Sequence, residues 1–415
     1  MTVPRWASAF SPFAVRSFRF QWSADLLTSW AFEMETVLLG WYIVEQTQSV
    51  LLVTVFGSLQ FLGTLIAPLL GLAGDKIGQR NVLFLMRGGY VLLAAAGAAL
   101  TLADMLTPAR VLAIAGLGGL LRPSDTGIRN VLIAETVPSD SLMQAISLSR
   151  ITMDSARAAG ALASGGIVLV LGMKAAYPAV VLFYALGVLL TLGVGGRRGG
   201  APSRGAAASP LRDLLEGAKS VWQAPPQLAA MLMAFIVNVT AYPFTLGLLP
   251  YVARDVYATT QVGLGYMVAA VAGGGVLGSL ILSVRGAAVR PARTVLAYSL
   301  IWHGLVLAFG QIGSLAIGLA VLPVIGIAQM LCVLPMAVLL LRGAPAALRG
   351  RIMGMRTLAV YGLPIGLLCT GPLIEAVGFA ATSAIYGTAG IAATLLVLVT
   401  WRKSLWPRDA PANQG

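Results

Sequence analysis

The chain has 415 residues, 58% hydrophobic and 10% charged, with 28 basic against 15 acidic side chains and a formal net charge of +13. A soluble domain carries about a quarter of its residues as charges, so a water-soluble globule is excluded and lipid must be the solvent for most of this surface. Two cysteines, Cys332 and Cys369, cannot build a disulfide framework, show no metal-site spacing and read as small buried hydrophobes.

The first twenty residues are basic and aromatic but lack the compact apolar core and small-residue cleavage site of a secretory signal, so the first span is expected to be retained. A helix crossing the hydrocarbon needs about 20 mainly apolar residues. On that criterion the first half contains spans one to six at 21–44, 50–73, 82–103, 111–133, 142–171 and 175–195. The second half contains spans seven to twelve at 227–252, 262–284, 295–312, 315–341, 352–376 and 379–401. Between them runs a Gly-, Ala-, Ser-, Pro- and Arg-rich segment with the composition of a flexible linker. The expected organisation is an all-α membrane protein: an N-terminal six-helix bundle at 1–196, a cytoplasmic linker at 197–222 and a C-terminal six-helix bundle at 223–415.

The halves echo each other. Arg80-Asn81-Val82-Leu83 after span two corresponds to Arg293-Thr294-Val295-Leu296 after span eight, and Arg150, Gly160 and Gly172 recur 206 positions later as Arg356, Gly366 and Gly378. Parallel six-helix repeats produce such a pattern.

The basic residues lie in alternate short loops rather than in one patch, which argues against nucleic acid as a partner. They concentrate before span one (Arg5, Arg16, Arg19), after span two (Lys76, Arg80), in the linker, and after spans eight, ten and twelve. The positive-inside rule then puts both termini and the linker in the cytoplasm. The loop after span four, 135–141, carries no base and departs from the pattern.

The loop between spans two and three reads GLAGDKIGQR. Gly71 allows close backbone approach and Gly78 a turn that other residues resist. Asp75 can cap a neighbouring helix N-terminus, while Lys76 and Arg80 can pair with it or face anionic lipid. The loop resembles the signature of the major facilitator superfamily, Gly-x-x-x-Asp-Arg/Lys-x-Gly-Arg/Gln-Arg/Lys, with matches at Gly71, Asp75, Lys76, Gly78 and Arg80. Span count, linker and half-repeat agree with it. The stretch Trp41–Ser49 and the segment LLRPSDTGIRNVLIAETVPSDSLMQA are similar to the drug-exporter branch that contains macrolide efflux proteins and the enterobactin exporter. Many proton-coupled antiporters carry Gly-Pro-x-x-Gly-Gly in span five; here Gly160 to Gly166 read GALASGG, without the proline and with longer spacing.

A charge at membrane depth costs roughly 2.5–3.5 kcal/mol on insertion scales, so each is a functional candidate. Span four carries Arg122, Asp125 and Arg129, and span five Arg150, Asp154 and Arg157. Each set places an acid between two bases on one helical face, either as a network tying helices together or with a spare arginine for an anionic substrate or a mobile acid. Span one carries Asp25, Glu33 and Glu35 with no base among them. Each is a candidate proton-coupling or substrate group, against the alternatives of hydration for Asp25 near the cytoplasmic entrance and of a bridge from Glu33 or Glu35 to Arg122 or Arg157. His303, the sole histidine, reads as a packed residue rather than a proton relay. In span seven, Asn238, Thr240, Tyr242 and Pro243 offer polar contacts beside a helix break.

No Walker-type loop, metal set or nucleophile–base arrangement is present, so neither an enzyme, ATP coupling nor a cofactor is expected. The expectation is a monomeric inner-membrane secondary transporter that moves a small amphipathic organic compound outward in exchange for protons. Import or lysolipid transport on the same fold is the alternative, and a non-transporting membrane sensor the alternative of another class.

Overall fold

The computed structural model describes residues 10–64, 66, 70, 73–74, 76–195, 219, 221–285, 290–342, 356 and 358–402. All regular structure among them is helical. Of the expected linker, only 219, 221 and 222 are described.

Each expected span has a helical counterpart. Among the described residues, six helices are long and apolar enough to cross a membrane: Gln79–Leu102, Gln144–Thr191, Gln261–Val284, Pro291–Phe309, Leu315–Leu340 and Gly362–Thr400. Two of these hold two spans each. The helix Ser139–Thr191 comprises spans five and six, meeting at Gly172 (φ 76°, ψ 172°), and Gly362–Thr400 comprises eleven and twelve, meeting at Gly378 (φ 83°, ψ 166°). A positive φ is open to glycine at little cost and resisted by every residue with a Cβ. The same irregularity at positions 206 apart makes the sequence repeat a backbone repeat.

The remaining spans are one, as Arg16–Thr47, and four, as Pro108–Thr136, both long enough to cross but carrying charge. Spans two and seven begin as the shorter apolar helices Val50–Leu59 and Pro225–Thr240. Span four starts with Pro108 in its first turn and Thr107 as its cap, the threonine hydroxyl accepting from the Arg110 amide at 3.4 Å. Pro243 follows the end of Pro225–Thr240, and span seven continues as short turns.

By internal packing the chain forms two units. One comprises Met1–Ser49, Leu59–Ala206 and Ala253–Ala269; the other Val50–Ser58, Ala207–Val252 and Ala270–Gly415. Spans two and eight are therefore each divided. Span two changes unit at Ser58/Leu59, where its helix ends, and span eight at Ala269/Ala270, just before Gly273-Gly274-Gly275.

Within the units equivalent helices touch in equivalent ways. A side chain at Gly160 of span five would meet the Glu33 Cβ at 2.9 Å and the Trp30 carbonyl at 3.1 Å on span one. A side chain at Gly366 of span eleven would run into the Val239 carbonyl of span seven, and Val239 lies 206 positions after Glu33. Such small-residue contacts are how helices associate where lipid removes the hydrophobic drive between them. Burial is correspondingly inverted: Leu92, Val170, Val284 and Val399 are exposed, while Asp25, Glu35, Arg87, Asp125 and Arg129 are buried.

Replacing Gly172 or Gly378 with Val forces a branched residue into left-handed backbone, a strain of about 1–2 kcal/mol. Thermal unfolding of the detergent-solubilised protein is expected to shift downward for each. Gly166→Ala, at a helical position with open space around it, is expected to leave the midpoint unchanged or raise it. Equal midpoints for all three would remove the two turns from the account.

Candidate functional site

The charges at depth in the N-terminal unit form two paired groups and one unpaired couple. The first group surrounds Asp25, which is 2% exposed rather than hydrated. Its Oδ1 takes a short ion pair from Arg87 Nη2 and a longer one, 3.4 Å, from Arg129 Nε. Arg129 also binds Asp125 one turn away on its own helix and donates to Ser29 Oγ at 3.1 Å, while Gln21 donates to the Arg129 carbonyl at 3.0 Å. Arg87 reaches Thr191 Oγ1 at 2.6 Å. Spans one, three, four and six are thus joined through one carboxylate.

The second group surrounds Glu35. Arg122 Nη2 lies 2.6 Å from Glu35 Oε2, Tyr184 donates to the same oxygen at 3.0 Å, and Tyr177 donates to Oε1 at 3.3 Å. Arg122 Nη1 also approaches Gln60 Oε1 at 3.3 Å and Thr36 Oγ1 at 3.4 Å, and the guanidinium sits 3.8 Å from the Phe32 ring centroid. Of the three charges expected to neutralise one another on span four, Asp125 and Arg129 do so, while Arg122 turns to span one. Across both groups, Asp25, Glu35 and Asp125 balance Arg87, Arg122 and Arg129. Taking one partner from a buried pair typically costs about 3–5 kcal/mol, because the other charge is stranded.

Glu33 differs. It is half-buried and points to span five, where Gly160 admits it. Among the described residues it makes no hydrogen bond or ion pair, and neither does half-buried Arg157, three residues before Gly160. Arg157 and Arg122 are the nearby bases acting on Glu33, and Asp154 the nearby acid. Asp154 is engaged elsewhere, with Arg150 at 3.1 Å in an exposed pair one helical turn apart. Every other buried or half-buried carboxylate described here has a partner.

In the signature loop, Gly71 and Asp75 lie outside the described residues. Gly78 has φ 90° and precedes the helix of span three, and Lys76 is exposed. Arg80 donates to the Leu192 carbonyl at 2.5 Å and to the Thr191 carbonyl at 3.4 Å, so it caps the C-terminal end of span six. Arg80 and Arg87, two turns apart on span three, both hold Thr191.

In the C-terminal unit His303 is fully buried. Its Nδ1 lies 2.7 Å from the Ser299 carbonyl and its Nε2 2.7 Å from Thr240 Oγ1, and Ser299 Oγ is 3.0 Å from Thr394 Oγ1. Asn238 is spent on the Ala234 carbonyl of its own helix at 2.8 Å. Aromatic rings pack beside these groups, Tyr242 against Trp302 at 4.9 Å and Phe244 against Tyr386 at 5.7 Å. No metal-holding group of His, Cys, Asp or Glu occurs among the described residues.

Sequence reasoning missed Arg87, Tyr177, Tyr184 and Thr191. Arg87 was findable as an arginine inside the apolar run of span three. The tyrosines sit seven residues apart, hence on one helical face, but nothing in their spacing names Glu35 as their target.

Arg87→Leu is expected to lower the thermal midpoint and the yield of folded protein sharply, with a loss on the order of 3–5 kcal/mol. Asp25→Leu combined with Arg87→Leu should regain much of it, because Arg129 keeps Asp125. A double variant as unstable as the sum of its singles would show that the two residues do not act as a pair.

A sequence profile of the Major Facilitator Superfamily matches residues 22–368. The multidrug efflux pump Tap of Mycolicibacterium fortuitum is 26% identical over 371 residues, spanning 83% of this chain and 86% of Tap. Among solved structures, the human organic anion transporter MFSD10 superposes with a TM-score of 0.63 at 19% identity, covering 92% of this chain and 99% of its own. A POT family transporter in complex with 5-aminolevulinic acid gives 0.74 at 13% identity, with 94% and 96% covered. The nucleoside transporter NupG gives 0.67 at 14%, with 93% and 99% covered. At these identities the structural likenesses concern the fold. With helices, repeat and profile in agreement, the chain belongs to the major facilitator superfamily and is a membrane-embedded transporter, not an enzyme.

Proposed function

We propose that the protein exports a small amphipathic organic compound across the inner membrane in exchange for protons, with Glu33 as the proton-carrying group and Arg157 as its electrostatic counterpart. The observation that carries this is the contrast among the carboxylates. Asp25, Glu35 and Asp125 are fixed by ion pairs, and removing charge from any of them strands a base. Glu33 has no fixed partner to strand. A proton can leave it when it moves toward Arg157 and return when it withdraws, so its charge can alternate while the surrounding network stays intact. The Asp25 and Glu35 groups are then the rigid frame against which span five moves, and the exposed Arg150–Asp154 pair follows that span.

The aromatic groups and spent polar groups of the C-terminal unit suit an amphipathic molecule better than a sugar, which would require more free amide and carboxylate groups. The likeness to a multidrug efflux pump favours outward transport. In this reading the signature loop, with Gly71, Asp75, Lys76, Gly78 and Arg80, is a conformational latch, the chain works as a monomer, and both termini face the cytoplasm. A second reading, import, is favoured by a different ligand chemistry: an anionic compound would bind Arg157 together with protonated Glu33, so proton and substrate would travel the same way.

The test uses proteoliposomes and the compound that most stabilises the purified protein in a screen of amphipathic cations, macrolides and lysolipids. Glu33→Gln is expected to reduce pH-gradient-driven transport by about tenfold or more, a loss of about 1.4 kcal/mol or more of coupling, while binding is retained. Glu35→Gln should instead lower stability. Unchanged gradient-driven transport by Glu33→Gln would remove Glu33 from the mechanism, and movement of the compound with the proton rather than against it would establish import.

A further inference from the structure

The first turn of span eight packs with the N-terminal unit, although most of its helix belongs to the other. It is reached through the turn Val252–Val256 and through Ala258, a non-glycine residue with φ 47°. Its contact with span five is close on both sides. A side chain at Gly165 would meet the Val262 Cα at 3.1 Å and the Gln261 carbonyl at 3.3 Å, and one at Gly265 would meet the Ala161 carbonyl at 2.9 Å. One polar chain runs through this contact. Gln261 Nε2 donates to Ser164 Oγ at 3.4 Å, and Ser164 Oγ donates its proton to the Met34 carbonyl at 3.2 Å. Gln261, Ser164 and Met34 are all buried.

Met34 is the residue between Glu33 and Glu35. On span five, Arg157, Gly160 and Ser164 are spaced three and four apart and therefore share one helical face. That face meets Glu33 at Gly160 and the Met34 carbonyl at Ser164. A shift of span five along span one that brings Arg157 to Glu33 must also displace Ser164 from Met34. Ser164 has one hydroxyl proton, and Gln261 is bonded to the oxygen that carries it. Disturbing the Met34 bond therefore disturbs the seat of span eight as well.

We propose that Ser164 and Gln261 are positioning residues that transmit the charge state of Glu33 to the first turn of span eight, holding that turn on span five in one state and releasing it in the other. This rests on the reading of Glu33 given above. Ser164 touches neither proton nor substrate; it acts through the backbone of Met34. The glycines at 165 and 265 set how near the helices come, and the hydrogen-bonded chain makes that nearness depend on span one.

The experiment places a reporter cysteine at Val262, whose backbone packs against Gly165, in the full chain with Cys332 and Cys369 replaced by Ser. The protein is purified into nanodiscs, and the rate of reaction with a small thiol reagent is measured from acidic to mildly alkaline pH, corrected for the ionisation of a free thiol. With Ser164 present the corrected rate is expected to change several-fold with pH. Ser164→Ala should make it pH-independent, as should Glu33→Gln. Ser164→Thr, which keeps the hydroxyl, should restore the dependence and guard against a merely misfolded alanine variant. Gln261→Leu should give a uniformly faster, pH-independent rate. If Glu33→Gln abolishes the dependence and Ser164→Ala retains it, the transmission proposal falls and Glu33 stands. If the dependence survives Glu33→Gln, the assignment of Glu33 falls first and the transmission with it.

Discussion

Desolvation of charge governs this molecule. Buried in an apolar bundle, an ionised group needs a partner of opposite sign and hydrogen bonds to its remaining atoms. Asp25, Glu35 and Asp125 with Arg87, Arg122 and Arg129 satisfy that demand as a neutral set. The set ties spans one, three, four and six together, and it extends through Thr191 to Arg80 of the signature loop. Among the described residues, Glu33 and Arg157 are the deep charges left outside this set, which is why the proposed proton site is placed there.

The rest of the architecture is a repeated scaffold. Spans one and five touch at Gly160 as spans seven and eleven touch at Gly366, and each half turns back through a positive-φ glycine. The chemistry laid on this repeated scaffold is not repeated. Val239 stands where Glu33 stands in the first half, and the C-terminal unit spends its buried histidine on Ser299 and Thr240. One half carries the ionisable couple and the other packed rings and hydrogen-bonded hydroxyls. Spans two and eight each contribute one end to either unit.

Much of this was legible from residues alone. Twelve spans follow from apolar run length, and the offset of 206 pairs Gly172 with Gly378 between adjacent spans, without marking either as a positive-φ turn. The pairs one turn apart on a single helix, Asp125 with Arg129 and Arg150 with Asp154, follow from spacing. Which pairs form between helices did not, because sequence records no angle between spans. Arg122 read as either a spare base or a bridge to Glu33 or Glu35, and packing gives it to Glu35; Asp25 read as hydrated or proton-coupling when Arg87 covers it. Helix faces are written in the sequence; which faces meet is decided by packing.

The most direct measurement of the central claim is infrared difference spectroscopy of the purified protein between acidic and mildly alkaline pH, following the C=O stretch of protonated carboxyl groups. The account predicts a titrating band that is absent from Glu33→Gln and unchanged in Glu45→Gln and Glu375→Gln, whose exposed carboxylates lie near span ends. A band that persists in Glu33→Gln would place the mobile proton on another residue and contradict the account.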